Sequence, residues 1–303
     1  PLKNDRGAMI CIKPPGESFN EDENIFIQTL SHSITLTLDR MYHIYHDELG
    51  IKNIVFFTRQ LEQFLNKGTD FAVVLIKVKG MKQINDYYTH ITGNQLLKKI
   101  IDRSRIMLKG FGYENPDNLI GRKSGVIIML CLPFISDRNT LKKMMDSINV
   151  TLCEPYQLDN YRILEFENSL RLGACLSLNA ESVDSLMDHA NDALQEARRN
   201  LRVTSVIFSK EIEKRKEWRK CIIEALKSLD NEKNQYKLKL VYQMKVDTRK
   251  KKIAGFEALV RMYDGSPHLM SPGKFISIAE EENLIGNIDR WVTREVCKQI
   301  RKW

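Results

Sequence analysis

The sequence has no long hydrophobic run. Its longest apolar stretch, residues 126–135, contains a proline, whereas a membrane-spanning helix needs roughly 20 apolar residues. We therefore expect neither a membrane span nor a signal peptide in these residues. Because the first residue is proline rather than methionine, we expect the natural protein to extend further upstream.

Paired metal-binding cysteines are also absent. The six cysteines are scattered through apolar segments, with no Cys-x-x-Cys pair and no histidine at zinc-ligand spacing. We interpret them as reduced core thiols of a cytoplasmic protein. None of the six histidines has a catalytic partner nearby in the sequence, so we interpret each as structural or exposed.

A nucleic-acid partner is not predicted, although the net charge is +8 and the isoelectric point is about 9.1. The basic residues cluster at residues 210–220, where glutamates are interspersed, and at residues 249–252, in a predicted turn. No series of aromatic residues for base stacking accompanies them. We interpret them as a solvated helix face and a turn. Nucleic-acid binding, the alternative, rests on charge alone and predicts a steep dependence of affinity on salt.

The composition is typical of a globular protein, with 43% hydrophobic and 28% charged residues among 303, enough for two domains. Between residues 49 and 208, helix-like and strand-like segments alternate. Residues 119–134 are predicted to be a hairpin whose second strand is buried on both faces. The pattern predicts an α/β sandwich, with helices covering a mostly antiparallel central sheet.

Two passages resemble a GGDEF domain, the diguanylate cyclase fold. Residues 77–97 are similar to the family pattern DxDxFKxxNDxxGHxxGDxxL and retain Lys82, Asn85, Asp86, His90, Gly93 and Leu97. The pair Leu172-Gly173 and the segment 190–198 are similar to the family's SxG strand and ADxAMYxAK helix. The resemblance implies a GGDEF-type sandwich over residues 48–208.

The differences from that pattern lie where the chemistry would be. The five GGDEF positions are residues 124–128, Ser-Gly-Val-Ile-Ile, and Lys77 and Lys79 replace two acids. Residues 115–118 replace the RxxD of the inhibitory product site. Magnesium needs hard oxygen ligands, so we predict neither a metal cofactor nor cyclase activity in this domain.

Some polar residues of the GGDEF passage remain able to bind a nucleotide. By resemblance Asn85 faces a guanine, and Asn94 replaces an aspartate that binds the same base. We expect the cationic residues to line a metal-free phosphate pocket, so that GTP acts as a regulator: Lys77, Arg122, Lys123 and Arg198. The alternative is that Asn85-Asp86 closes a helix and that the lysines are solvated.

A second family pattern begins after a charged helix that we interpret as a linker, residues 209–235. Residues 236–303 resemble the start of an EAL domain, the cyclic di-GMP phosphodiesterase, through YQ at residues 242–243, an ExLxR pattern and the segment 271–291. The resemblance implies that Glu257 is the catalytic residue and metal ligand. It also implies a substrate site with Gln243, Leu259 and Arg261, the last holding a phosphate.

The EAL passage is shorter than a complete barrel. A TIM barrel takes about 250 residues, whereas fewer than 70 follow Tyr236. We expect the natural chain to continue and to supply the remaining ligands of Mg²⁺ or Mn²⁺. Two functions stay open: a phosphodiesterase that hydrolyses cyclic di-GMP to linear pGpG, and a receptor or scaffold that binds cyclic di-GMP or GTP without catalysis.

The N-terminal residues 1–47 predict a strand at residues 8–13 and one long helix at residues 20–47. Acidic residues begin the helix, and apolar residues recur every three or four positions along it. This order weakly resembles the end of a GAF sensor domain with its signalling helix, and it suggests a parallel homodimer. The alternative is an amphipathic helix that packs on its own neighbour.

Overall fold

The computed structural model describes residues 18–46, 49–88, 90–159, 162–164, 169–200, 202–231, 235–264 and 269–303. These residues form two compact units, and the boundary falls between Ser209 and Lys210. Each unit has its own hydrophobic core. The strand predicted at residues 8–13 lies outside the described residues. In the part of the chain described, no helix is both long and apolar enough to cross a membrane.

A six-stranded sheet with strand order β1-β3-β4-β2-β7-β8 forms the centre of the first unit. Its strands are β1 (Lys52–Asn53), β2 (Phe71–Val78), β3 (Ile120–Ser124), β4 (Ile127–Pro133), β7 (Leu170–Leu176) and β8 (Ser205–Ile207), while β5 (Tyr156–Asp159) and β6 (Arg162–Leu164) form a separate hairpin. The four inner strands pair antiparallel, whereas β1 and β8 run parallel to their neighbours. The predicted mostly antiparallel sheet is therefore confirmed at its centre, and its two edges make it mixed.

Six helices belong to the first unit: α1 (Glu21–Tyr45), α2 (Ile54–Asn66), α3 (Met81–Tyr87), α4 (His90–Gly110), α5 (Arg138–Leu152) and α6 (Val183–Arg199). Polar residues cap four of them. Their side chains accept hydrogen bonds from the backbone N–H three residues later, at 2.7, 3.1, 2.8 and 3.1 Å for Asn20, Asn53, Asp137 and Ser182. Each cap satisfies a donor that has no partner within its helix.

Strand β2 lies at the centre of the core, and its first six residues are completely buried. Helix α6 packs across β7 and β2. Gly173 permits this contact, because a Cβ atom there would lie 2.1 Å from the backbone nitrogen of Leu194. The α6 side of the sheet is therefore the side onto which Gly173 faces, and residues two positions away along β7 face it too.

Five cysteines among the described residues are free, and Cys131 and Cys175 lie in this core. Burial raises the pKa of both thiols, to about 12 for Cys175. The protonated thiol is a poor nucleophile, so these two cysteines act as small apolar side chains.

The second unit contains α7 (Lys210–Lys227), β9 (Lys237–Asp247), β10 (Lys252–Tyr263), β11 (Leu269–Met270), α8 (Ile276–Glu281) and α9 (Ile285–Ile300). The three strands form an antiparallel sheet in the order β11-β10-β9. Its core includes Ile222 and Leu226 of α7 beside Leu238 and Met262 of the sheet. Helix α7, which the sequence predicts as part of a linker, thus contributes to the core of this unit.

The long elements agree with the sequence prediction, and the short ones differ. The helix predicted at residues 20–47 is α1, and the hairpin predicted at residues 119–134 is formed by β3 and β4. The sequence pattern did not reveal three short strands: β1, β5 and β11. Strands of two to four residues contain too few side chains to establish a period.

Candidate functional sites

The first candidate site is a cavity of about 740 Å³ where β2 ends and α3 begins. We call it the Lys77 cavity. Its lining includes Lys77, Lys79, Lys82, Asn85, Asp86, His90, Val126 and Arg198. Three of the residues that the sequence predicts as nucleotide or phosphate ligands, Lys77, Asn85 and Arg198, therefore lie around one cavity.

The β3–β4 turn brings the aliphatic side chain of Val126 to this cavity. The Val78 N–H donates to the Val126 carbonyl oxygen at 3.4 Å, which holds the turn beside the end of β2. Gly125 has φ +51°, and its carbonyl accepts a hydrogen bond of 2.7 Å from Nε of Arg122. Val126 lines the cavity and Ile128 is buried. The turn therefore supplies no carboxylate to the cavity.

The end of the sheet at Lys77 carries several cationic side chains. Lys77 is directly opposite Arg171 in the antiparallel β2–β7 pair, so both side chains leave the same face, and Arg198 lies in the last turn of α6. Arg171 is 2% exposed, and its Nη1 donates to the Leu170 carbonyl at 2.8 Å. Burial lowers the pKa of Lys77, and the charge of Arg198 lowers it further.

Asn85 lies against helix α4. Its Oδ1 is buried without a hydrogen-bond partner among the described residues. A Cβ atom on Gly93 would lie only 2.0 Å from that oxygen, so the absence of a side chain at residue 93 leaves the space that the amide occupies. Gly93 thereby positions Asn85 in the lining of the cavity.

The other predicted nucleotide ligands lie elsewhere. Asn94 is an exposed residue of α4, and the guanidinium of Arg122 is bonded to the turn; neither belongs to the described lining of the cavity. In the region of the predicted product site, Arg105 Nε donates to Asp117 at 2.6 Å. That ion pair ties the segment to α4.

His90 lines the cavity and is exposed, in agreement with its interpretation as structural or exposed. The sequence does not predict a role for Arg171, which is paired with Lys77 but is not part of the described lining. The available signal for Arg171 was a charged residue within the predicted buried strand, between Leu170 and Leu172, because buried charges are rare without a specific environment.

The second candidate site is one face of the β9–β10 hairpin. Glu257 and Gln243 are directly paired across the two strands. Leu259 and Arg261 follow Glu257 at two-residue steps along β10, so they share its face. Arg261 is partly buried, and its Nη1 donates to the Val260 carbonyl at 2.8 Å. The four residues predicted for the EAL site thus lie on one surface.

An ammonium group lies beside the predicted metal ligand. Lys245 Nζ is 3.2 Å from Glu257 Oε2, and both side chains are about half exposed or more, at 60% and 48%. A divalent metal needs several oxygen ligands, whereas Glu257 and Gln243 offer one carboxylate and one amide. Within the described ranges, no three His, Cys, Asp or Glu side chains are grouped to hold a metal. These residues alone do not fit a metal centre.

Comparison with known proteins gives both units a family. The family described as "Diguanylate cyclase, GGDEF domain" matches residues 44–203, and the EAL domain family matches residues 226–303. Over 254 residues the chain is 28% identical to the oxygen sensor protein DosP of Escherichia coli, covering 84% of this chain and 30% of DosP. Over 234 residues it is 29% identical to the cyclic di-GMP phosphodiesterase PdeR of the same organism, covering 77% of this chain and 33% of PdeR.

The fold is also similar to a solved structure with both domains. The S helix–GGDEF–EAL part of LapD from Vibrio cholerae, solved bound to c-di-GMP, matches with a TM-score of 0.57 and 16% identity. The match covers 91% of this chain and 62% of that one. The GGDEF match spans more than half of the chain. The chain therefore belongs to the GGDEF family, and the beginning of an EAL domain follows its GGDEF domain.

Proposed function

We propose that this chain is part of a cyclic di-GMP signalling protein. In this protein the GGDEF unit regulates without making the dinucleotide, and the EAL domain hydrolyses it to linear pGpG. The observation that carries the proposal is the common face of Glu257, Gln243 and Arg261 on the β9–β10 hairpin. Hydrolysis of cyclic di-GMP by the full-length protein with Mn²⁺ tests it, and a protein that leaves the dinucleotide intact would contradict it.

The cations and aliphatic residues of the Lys77 cavity support the noncatalytic role of the GGDEF unit. A cyclase must hold Mg²⁺ on carboxylates, and the metal contributes several kcal/mol of charge stabilisation. Here Lys77 repels a metal and Val126 offers it no ligand. A loss of several kcal/mol lowers the rate by roughly three orders of magnitude. Incubation of the protein with GTP should therefore yield no cyclic di-GMP.

The chemistry of the candidate side chains and the similarity to two known proteins support a phosphodiesterase role for the EAL domain. A guanidinium on a sheet face is suited to a phosphodiester, and Glu257 offers hard oxygen atoms. PdeR is named a cyclic di-GMP phosphodiesterase, and the LapD structure contains c-di-GMP. Mg²⁺ or Mn²⁺ stays the predicted cofactor of the complete EAL domain, with further ligands from residues outside this chain.

The second candidate function is a receptor that binds cyclic di-GMP through Arg261 without cleaving it. The Lys245–Glu257 ion pair favours this alternative, because an ammonium 3.2 Å from the carboxylate competes with a metal for the same oxygen. A receptor would bind the dinucleotide with equal affinity with and without Mn²⁺ and would release no pGpG. Rapid hydrolysis would exclude it.

We also propose that the GGDEF unit binds GTP as a regulator. The Lys77 cavity combines cations for phosphates with the amide of Asn85. The competing interpretation is that these groups are simply solvated. Calorimetric titration with GTP distinguishes the two, because an absence of heat at millimolar GTP would remove the regulatory role.

Replacing Gly93 by alanine should weaken GTP binding without unfolding the protein. The new Cβ would lie 2.0 Å from Asn85 Oδ1 and 3.2 Å from Met81 Cε. Because both neighbours are flexible side chains, we expect Asn85 to turn away and GTP affinity to fall about tenfold. Gly110→Ala on the same helix is the control, since its Cβ would meet nothing within 4 Å. Equal GTP affinities in the two variants would contradict this role of Gly93.

The protein is proposed to form a parallel homodimer through α1. Apolar side chains remain exposed on this helix, among them Ile25 at 58%, Phe26 at 67% and Leu30 at 40%. Changing Phe26 and Leu30 to glutamate should convert the dimer to a monomer, because like charges would then lie in the contact between the two α1 helices. Mass measurement in solution checks this, with Gln28→Glu as the control. A wild-type monomer would refute the proposal.

We propose a cytoplasmic location for this part of the protein. The support is the set of free cysteines among the described residues, since the cytoplasm keeps thiols reduced. Thiol titration of the protein in fresh cell extract tests the proposal.

A further inference from the structure

We propose that the Lys77 cavity binds a polyphosphate anion without a metal ion, so that free nucleoside triphosphate binds more tightly than its magnesium complex. This inference rests on the proposed role of the GGDEF unit as a noncatalytic nucleotide regulator. It adds that the preferred ligand is the free anion, whereas a metal-dependent nucleotide site prefers the magnesium complex.

The charges in the lining support this order of affinities. The cations Lys77, Lys79, Lys82 and Arg198 line the cavity together with a single carboxylate, Asp86. A bound Mg²⁺ would cancel two negative charges of the phosphates. It would also place another positive charge beside the cations of the lining. The phosphate oxygens of the free anion can instead accept hydrogen bonds directly from ammonium and guanidinium groups. The protein thus provides the positive charge that magnesium provides elsewhere.

The environment of Lys77 disfavours its positive charge. Its pKa is lowered first by burial and then by the charge of Arg198, which lines the same cavity. Like charges held close together raise the free energy of the empty site, and an anion between them lowers it. The empty cavity therefore favours the binding of an anion.

The cavity is large enough for a nucleotide. Its volume of about 740 Å³ falls in the range of about 300–1,000 Å³ that is usual for small-molecule sites. Asn85 lies in the same lining and offers an amide for hydrogen bonds with a base. A nucleoside triphosphate can use both the cations and the amide, whereas inorganic triphosphate can use only the cations.

Calorimetric titration of the full-length protein with GTP, once in EDTA and once in excess Mg²⁺, tests the inference. We expect GTP to bind about tenfold more tightly in EDTA, because the free anion keeps its full charge. Lys77→Met should weaken binding in EDTA about tenfold. Lys98→Met is the matched control, since Lys98 is an exposed residue of α4 outside the described lining, and its affinity should equal that of the wild type.

Two further variants guard against a folding defect. Arg198→Gln removes an exposed cation at the end of α6 and should also weaken binding in EDTA several-fold. Lys77→Asp replaces the cation by a metal ligand, so the preference should reverse and magnesium should strengthen GTP binding. Weaker binding in EDTA by Arg198→Gln and tighter binding in Mg²⁺ by Lys77→Asp, each with an unchanged melting temperature, would support the inference.

Parallel titrations with inorganic triphosphate identify the ligand class. Equal affinities for triphosphate and GTP would assign the site to the phosphate chain, and tighter GTP binding would assign it to a nucleotide; both agree with a metal-free anion site. GTP binding that requires Mg²⁺ and is unchanged in Lys77→Met would overturn the inference but leave the regulatory role. No heat with either anion at millimolar concentration would overturn both.

Discussion

Glu257→Ala in the full-length protein should lower the rate of cyclic di-GMP hydrolysis by about a thousandfold, because we propose that Glu257 is one ligand of a metal ion that contributes several kcal/mol of charge stabilisation. The variant should keep its fold, since the Glu257 side chain is 48% exposed and its described ion pair is with Lys245. Release of pGpG, followed by chromatography in saturating Mn²⁺, measures the effect. Mn²⁺ affinity, measured by calorimetry, should fall in parallel.

The matched control is Glu282→Ala. Glu282 is an exposed carboxylate of the same unit and shares Arg219 Nη2 with Glu281, each at 2.8 Å. Its removal leaves one of the two ion pairs, and exposed pairs contribute at most about 1 kcal/mol. Hydrolysis by this variant should equal that of the wild type. Equal rates in Glu257→Ala and the wild type would refute the role of Glu257.

Gly173→Ala should destabilise the first unit by about 3 kcal/mol or more, since overpacked cores lose about 1–3 kcal/mol and here the obstacle is backbone. The new Cβ would lie 2.1 Å from the nitrogen, 2.4 Å from Cα and 2.5 Å from Cβ of Leu194. Helix α6 cannot rotate one side chain away to relieve these contacts. It must move off the sheet, which opens the core between α6 and β7. Urea denaturation followed by circular dichroism measures the loss.

Gly110→Ala again serves as the control. Its Cβ meets no atom within 4 Å, so the free energy of unfolding should change by less than about 0.5 kcal/mol. If Gly173→Ala were as stable as Gly110→Ala, the close packing of α6 on β7 would be refuted.

An ammonium group lies at each of the two candidate sites. In the first unit Lys77 stands where the family pattern has a metal-binding acid, and Arg198 is near it. In the second unit Lys245 is 3.2 Å from Glu257, whose carboxylate remains. The first site also has one carboxylate, Asp86, but four cations line the same cavity, whereas Glu257 shares a strand face with Gln243 and Arg261. This difference is the reason for proposing chemistry in the EAL domain and anion binding in the GGDEF domain.

Several elements could be predicted because their evidence is local. Residues 71–78 form an uninterrupted β-rich run and became β2, and Asn53 has the residue type of a helix cap and caps α2. The parallel pairing of β1 and β8 had no such signal. Two-residue and three-residue strands depend on a neighbour for their hydrogen bonds, and that neighbour is distant in the sequence.

The candidate sites were predicted unequally for a related reason. Glu257, Leu259 and Arg261 alternate along one strand, so the sequence itself puts them on one face. The Lys77 cavity joins residues from β2, α3, the β3–β4 turn and α6, and Asn94 was expected there but is exposed on α4. Arg171 lies opposite Lys77 only because of the register of β2 and β7.

The sequence by itself determined the family of each unit, the long helices and strands, and the loss of carboxylates at the β3–β4 turn, because all of these depend on residue type and short spacing. Only the tertiary structure decided that Lys77 is paired with Arg171 and lies near Arg198, and that Lys245 lies beside Glu257. Electrostatic interactions depend on distance in space. Strand register and helix packing set those distances between residues that are far apart in the chain.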